Sequence, residues 1–78
     1  MITESRDGLL RKIQPISIHG QVSWDVYYTD ANDPDGPVAT ARVGPESMDP
    51  SLKPGDRIRL HFVLNAVTDI TRVDEPAT

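Results

Sequence analysis

The run Arg57-Ile58-Arg59-Leu60-His61-Phe62-Val63-Leu64 limits the fold more than any other stretch, because Ile58, Leu60, Phe62 and Leu64 share one parity while Arg57, Arg59 and His61 share the other. Successive side chains of a strand point to opposite faces, so this alternation describes a strand with one buried and one solvated face. Gln21 to Asp30 repeats the pattern, with Val22, Trp24, Val26 and Tyr28 against Gln21, Ser23, Asp25, Tyr27 and Thr29. Two half-buried strands need partners, and the rest of the chain supplies them in short pieces.

Leu9 to His19 reads as one bent strand. Pro15 cannot donate to a ladder, so it is expected at a bulge or edge that lets Ile13 join Ile16 and Ile18 in the core. His19-Gly20-Gln21 is expected to be a tight turn, and Asp30 to Pro37 (D-A-N-D-P-D-G-P) is turn chemistry throughout. In Val38 to Val43 the small Ala39 and Ala41 predict an inner face crowded by something bulky such as Trp24. Beyond Gly44-Pro45, Glu46 to Lys53 is expected to form one helical turn, with Ser47 or Asp49 as N-cap and Pro50 at the first helical position, stopped by Pro54-Gly55. Leu64-Asn65-Ala66 suits a hairpin in which Asn65 takes the left-handed conformation, and Ala66 to Val73 is the last strand. Because Val67 and Ile70 differ in parity, a bulge is expected near Thr68-Asp69. The expected fold is all-β: a small antiparallel barrel of five strands, with a short helical turn between the third and fourth, since closure removes exposed edges.

At 78 residues the chain holds one domain, and 37% apolar residues suffice for one core. Met1–Gly8 and Asp74–Thr78 are polar and aperiodic, which predicts flexible ends around a domain spanning 9–73. With no cysteine, neither a disulfide framework nor a thiolate metal site is available. The absence of a long apolar run or a leader-like segment predicts a soluble, cytoplasmic protein without a membrane partner. His19 and His61 stand far apart with no third ligand beside them, the acidic loop lacks the spacing of a calcium site, and the glycines are scattered singly. No metal or cofactor is expected.

Charge is unevenly placed. A net charge of −4 counts against binding that relies on neutralising many phosphates. Four acids and no base lie between Asp25 and Asp35, whereas Arg57, Arg59 and His61 make a basic row to which Arg42 and Arg72 can add.

Two stretches resemble known families. Ser47-Met48-Asp49-Pro50-Ser51-Leu52, followed by Gly55-Asp56 and a strand, resembles the box around the nucleophilic serine of signal peptidases and self-cleaving SOS-type repressors. That resemblance would make Ser47 the nucleophile, but those enzymes draw their base from a lysine on a later strand, and no lysine follows Lys53. The box therefore reads as a turn that feeds a strand. Leu52 to Phe62 with Ala66 to Val73 resembles the closing hairpin of OB-fold domains, as in cold-shock proteins, while the paired aromatic motifs that stack bases there are missing.

The OB-fold resemblance implies a non-enzymatic binding module for single-stranded nucleic acid, in which the face of the second strand commonly carries the ligand. Trp24 and Tyr28 fall on the core parity of that strand, and Tyr27 falls on the polar one, where a large ring needs a neighbour or a partner. The candidate contact residues are Tyr27 for stacking and Arg42, Arg57, Arg59 and His61 for charge. The alternative is a protein–protein adaptor that uses the same basic row and the acidic loop against a larger partner, such as a nucleic-acid-processing complex.

Overall fold

The computed structural model describes residues 3–73, so the expected tail Asp74–Thr78 lies outside the described residues. The strands are β1 (Thr3–Ile18), β2 (Gln21–Asp30), β3 (Ala39–Val43), β4 (Arg57–Val63) and β5 (Ala66–Arg72), with a 3₁₀ turn at Pro45–Ser47. They form one antiparallel sheet in the order β3-β2-β1-β4-β5. The sheet is not closed into a barrel. Its outer strands β3 and β5 come within 8 Å, Cα to Cα, without forming a ladder.

The central strand is longer than the expected element, running 16 residues from Thr3 to Ile18. Thr3–Gly8, expected to be a flexible end, pairs with β4 from Thr3↔Val63 to Leu9↔Arg57, while Gly8 to Ile18 pairs with β2. Only Gly8 and Leu9 are shared by the two ladders. A side chain at Gly8 would meet the Thr29 carbonyl oxygen at 2.9 Å and the Leu60 side chain at 3.2 Å. A glycine is thus required here for close approach, where three strands converge.

The bulge in β1 lies between Leu10 and Lys12, not at Pro15. It leaves Arg11 unpaired and switches the outward parity from Ser5, Asp7 and Leu9 to Lys12, Gln14, Ile16 and Ile18. Ile13 does face inward, in register with Val26, but Ile16 and Ile18 face outward beside Ser23 and Gln21 instead of joining it. Ile18 is accordingly 41% exposed.

The core is built from Leu10, Val26, Val43, Leu52, Ile58, Leu60 and Ile70, with Trp24, Tyr28 and Phe62 packed partly against it. The parity of β4 holds at its middle, whereas in β2 Asp25 and Thr29 on the outward parity are buried, and the inward parity fails at the strand ends. Val22 is 48% exposed, and Leu64 sits at 71% exposure in the turn with a φ of 51°. Asn65 follows at φ 68°, and these paired left-handed residues give the backbone twist a two-residue hairpin needs. His19-Gly20 closes the β1–β2 hairpin in the same way. The bulge in β5 falls at Thr68, as its parity conflict predicts.

The expected helical turn is displaced toward the N-terminus. Gly44 accepts the Ser47 N–H, which closes the 3₁₀ turn before Asp49 is reached. Asp49 caps nothing helical; its carboxylate accepts the Ser51 N–H at 2.8 Å and the Ser51 hydroxyl at 2.7 Å, a local turn of the kind short polar side chains favour. The Asp49 N–H donates to the Ile70 carbonyl, and Met48 makes an isolated parallel bridge to Ile70. The segment after the 3₁₀ turn thus lies against β5. Among the described residues no helix is long and apolar enough to cross a membrane.

Candidate functional site

The outer face of β4 carries Arg57, Arg59 and His61 as one row; Arg57 stands opposite Leu9, and the flanking strands set polar residues beside Arg59 and His61. Ladder register sets Asp7 and Thr71 on either side of Arg59, and Ser5 and Asp69 on either side of His61. The Arg59 guanidinium donates through Nε to Asp7 at 2.9 Å and through its terminal nitrogen at 3.4 Å. His61 has Ser5 Oγ at 3.3 Å from Nδ1 and Thr71 Oγ1 at 3.4 Å from Nε2. The hydrogen bond from Arg59 holds the Asp7 carboxyl below the usual carboxylate range, and the charges of Arg59 and Arg57 add to this.

Tyr27 and Arg42 form a second patch on the same outer face. Arg42 on β3 donates to Asp25 on β2 at 2.8 Å and 3.3 Å, lowering the Asp25 pKa and raising its own. Tyr27 stands between Lys12 and Thr40 in the ladders, and the Lys12 ammonium lies 5.5 Å from its ring centroid. The large ring on the polar face therefore has its neighbour within the chain. Leu9 and Thr29, paired at the middle of the sheet, separate this patch from the β4 row. The five residues singled out by sequence share a face, but they do not converge on one site.

These cross-strand pairs set a pH dependence. Asp7 and Asp25 have folded pKa values below those of the unfolded chain, so their stabilisation is complete above the ordinary carboxylate pKa of about 4. It is lost as pH falls through the lower folded values. Thermal melts of an Asp7→Asn, Asp25→Asn double variant should therefore lie below wild type by a constant margin near neutral pH, and the margin should shrink below about pH 4.

Ser47 and His61 line one cleft of about 630 Å³ between the 3₁₀ segment and β5. No hydrogen bond joins them among the described residues, and the hydroxyls of Ser5 and Thr71 engage both ring nitrogens of His61.

A third feature was not singled out from sequence. On the inner side, the β1–β2 hairpin and the proline-rich segment enclose a groove of about 400 Å³ whose walls include Ile13, Trp24, Met48, Leu52 and three prolines. Among the described residues its single charged wall residue is Lys53. The proline-rich wall is firmly held: Arg72 donates to the Ser51 carbonyl and, at 3.0 Å, to Asp56, while the Asp56 carboxylate accepts the Lys53 N–H at 2.9 Å. Leu10 ties the end of this segment to β1, its N–H donating to the Asp56 carbonyl and its carbonyl accepting the Gly55 N–H. The sequence signal was the coincidence of Met48, Pro50, Leu52 and Pro54 with an inward Trp24, which reads as turn and core until the two are placed side by side.

No protein family, no curated protein and no solved structure matches the chain.

Proposed function

We propose that the chain is a non-enzymatic binding module, an OB-like and partly open barrel that docks a segment of a partner protein. The observation that carries this reading is the groove beside Trp24: apolar walls, a volume of about 400 Å³ and a rigidly held rim. Ligand sites are typically concave, mostly apolar and pre-formed, with volumes from roughly 300 Å³ upward. The strand order supports the barrel kinship, because it brings the two edge strands β3 and β5 side by side, where one further ladder would complete the ring. A cytoplasmic setting suits a chain that has no cysteine to oxidise.

The arginines favour a protein over a nucleic acid as partner. Arg42 and Arg59 each already face a carboxylate on the neighbouring strand, so a phosphate would have to displace Asp25 or Asp7 to bind them. Tyr27, the stacking candidate, has a lysine over its ring. Titration of labelled single-stranded DNA and RNA at low salt, followed by fluorescence anisotropy, decides between the readings. The adaptor reading expects no saturable binding. Saturable binding that weakens as salt rises, and that is lost on changing Arg57 and Arg59 together to Ser, would transfer the function to nucleic acid.

A further inference from the structure

We infer that the Trp24 groove takes a peptide segment that presents apolar side chains and one carboxylate, which pairs with Lys53. The inference rests on the protein-partner reading above and adds the chemistry of the segment.

The walls dictate the apolar part. Trp24 and Ile13 come from the inner face of the β1–β2 hairpin, and Met48 and Leu52 from the segment opposite. Pro45, Pro50 and Pro54 complete that side, and a proline has no N–H to offer a bound backbone. Recognition across that wall therefore falls to apolar side chains of the ligand. A volume of about 400 Å³ admits a few of them. The fixed φ of the prolines and the Arg72 contacts hold the wall in place before a ligand arrives, which lowers the entropic cost of binding.

Charge selects the rest. Among the described residues the groove has no carboxylate in its lining, so a basic side chain would find no partner on them. Lys53 lines it with an exposed side chain, and its amine pairs with no carboxylate of the described residues. Arg6, Arg42, Arg59 and Arg72 are ion-paired within the chain; Arg11 and Lys12 also lack an ion pair among the described residues, but neither lines the groove. The net charge of −4 sets a limit in the other direction: one carboxylate at Lys53 gains, and further acids meet the repulsion of the whole molecule.

Trp24 is the sole tryptophan, so its emission reports on the groove directly. The test titrates the intact chain with short capped peptides that share two leucines and differ at one following position, Asp, Asn or Lys. The aspartate peptide should shift the emission saturably and bind about two- to fivefold more tightly than the asparagine peptide, as expected of one exposed ion pair, with the lysine peptide weakest. In Lys53→Glu the order should reverse; the substitution lies at an exposed position, and an unchanged thermal midpoint confirms that the fold is intact.

Equal affinity for the three peptides, an order unchanged in Lys53→Glu, or no emission change with any of them overturns the inference. So does an apolar carboxylate such as decanoate binding as tightly as the peptide, which would make the site one for small molecules. A concentration-dependent emission shift without peptide also overturns it, because the groove would then be filled by a second copy of the chain. The oligonucleotide titration is independent of all these outcomes, so failure of the peptide chemistry and failure of the protein-partner reading remain distinguishable.

Discussion

Leu60→Ala is expected to lower the thermal midpoint by at least about 10 °C. Leu60 is 1% exposed at the middle of β4, in register with Arg6 on β1 and Ile70 on β5. Truncating a buried leucine costs about 2–5 kcal/mol, the spread reflecting how far the surroundings collapse into the space. A domain of this length is worth only about 4–12 kcal/mol in total, and with no cysteine this chain has no covalent brace. Relaxation is limited because the neighbours Ile58 and Ile70 are themselves fully buried on paired strands. Thermal denaturation followed by far-UV circular dichroism checks the result. A midpoint within about 3 °C of wild type would mean that Leu60 lies outside the packed interior.

The second large effect is expected at Gly8, through the opposite mechanism. Gly8→Val should destabilise by about 1–3 kcal/mol or more because it adds atoms where none fit. The first added carbon would stand 2.9 Å from the Thr29 carbonyl oxygen, 3.2 Å from Leu60 and 3.3 Å from the Tyr28 ring. The first of these is backbone and cannot rotate away. Either β2 moves off β1 or Leu60 and Tyr28 leave their positions, and each response loosens the junction of the two ladders. Hydrogen exchange locates the damage: protection should fall at Asp30 and Ile58, the partners of Gly8 on either side. A variant as stable as wild type would contradict the placement of Thr3–Gly8 against β4.

That placement shows where sequence reading reaches its limit. In β4 alternation alone separated buried Ile58 and Leu60 from Arg59, whereas in β2 it did not, because Asp25 and Thr29 of the polar parity are buried beneath their neighbours. The bulge at Thr68 was also legible, because Val67 and Ile70 conflict in parity and only one extra residue reconciles them. Thr3–Gly8 carried no such signal. Its inward positions are Glu4, Arg6 and Gly8, and its strand character comes from the ladder to β4 and from Asp7 meeting Arg59. The β1 bulge was misplaced because Leu9 and Leu10 are both apolar, so the run fits either parity. Pairing decided the matter, by setting Leu10 opposite Tyr28 and Lys12 opposite Tyr27.

The candidate site was only partly legible, for a related reason. The outward positions of Arg57, Arg59, His61, Tyr27 and Arg42 follow from parity, but whether an arginine is available to a ligand depends on its neighbour across the ladder. Asp7 and Asp25 are distant in sequence from Arg59 and Arg42 and adjacent to them in the sheet. The groove is a tertiary object altogether, formed where a proline-rich turn lies beside Trp24.

The most direct test of the account is a chemical-shift map of the labelled chain as the aspartate-bearing peptide is added. The account predicts that the Trp24 indole N–H and the amides of Ile13, Met48, Leu52 and Lys53 move together and saturate, while Arg59, His61 and Arg42 stay in place. Shifts concentrated on the outer row of β4, with the Trp24 indole unmoved, would contradict it.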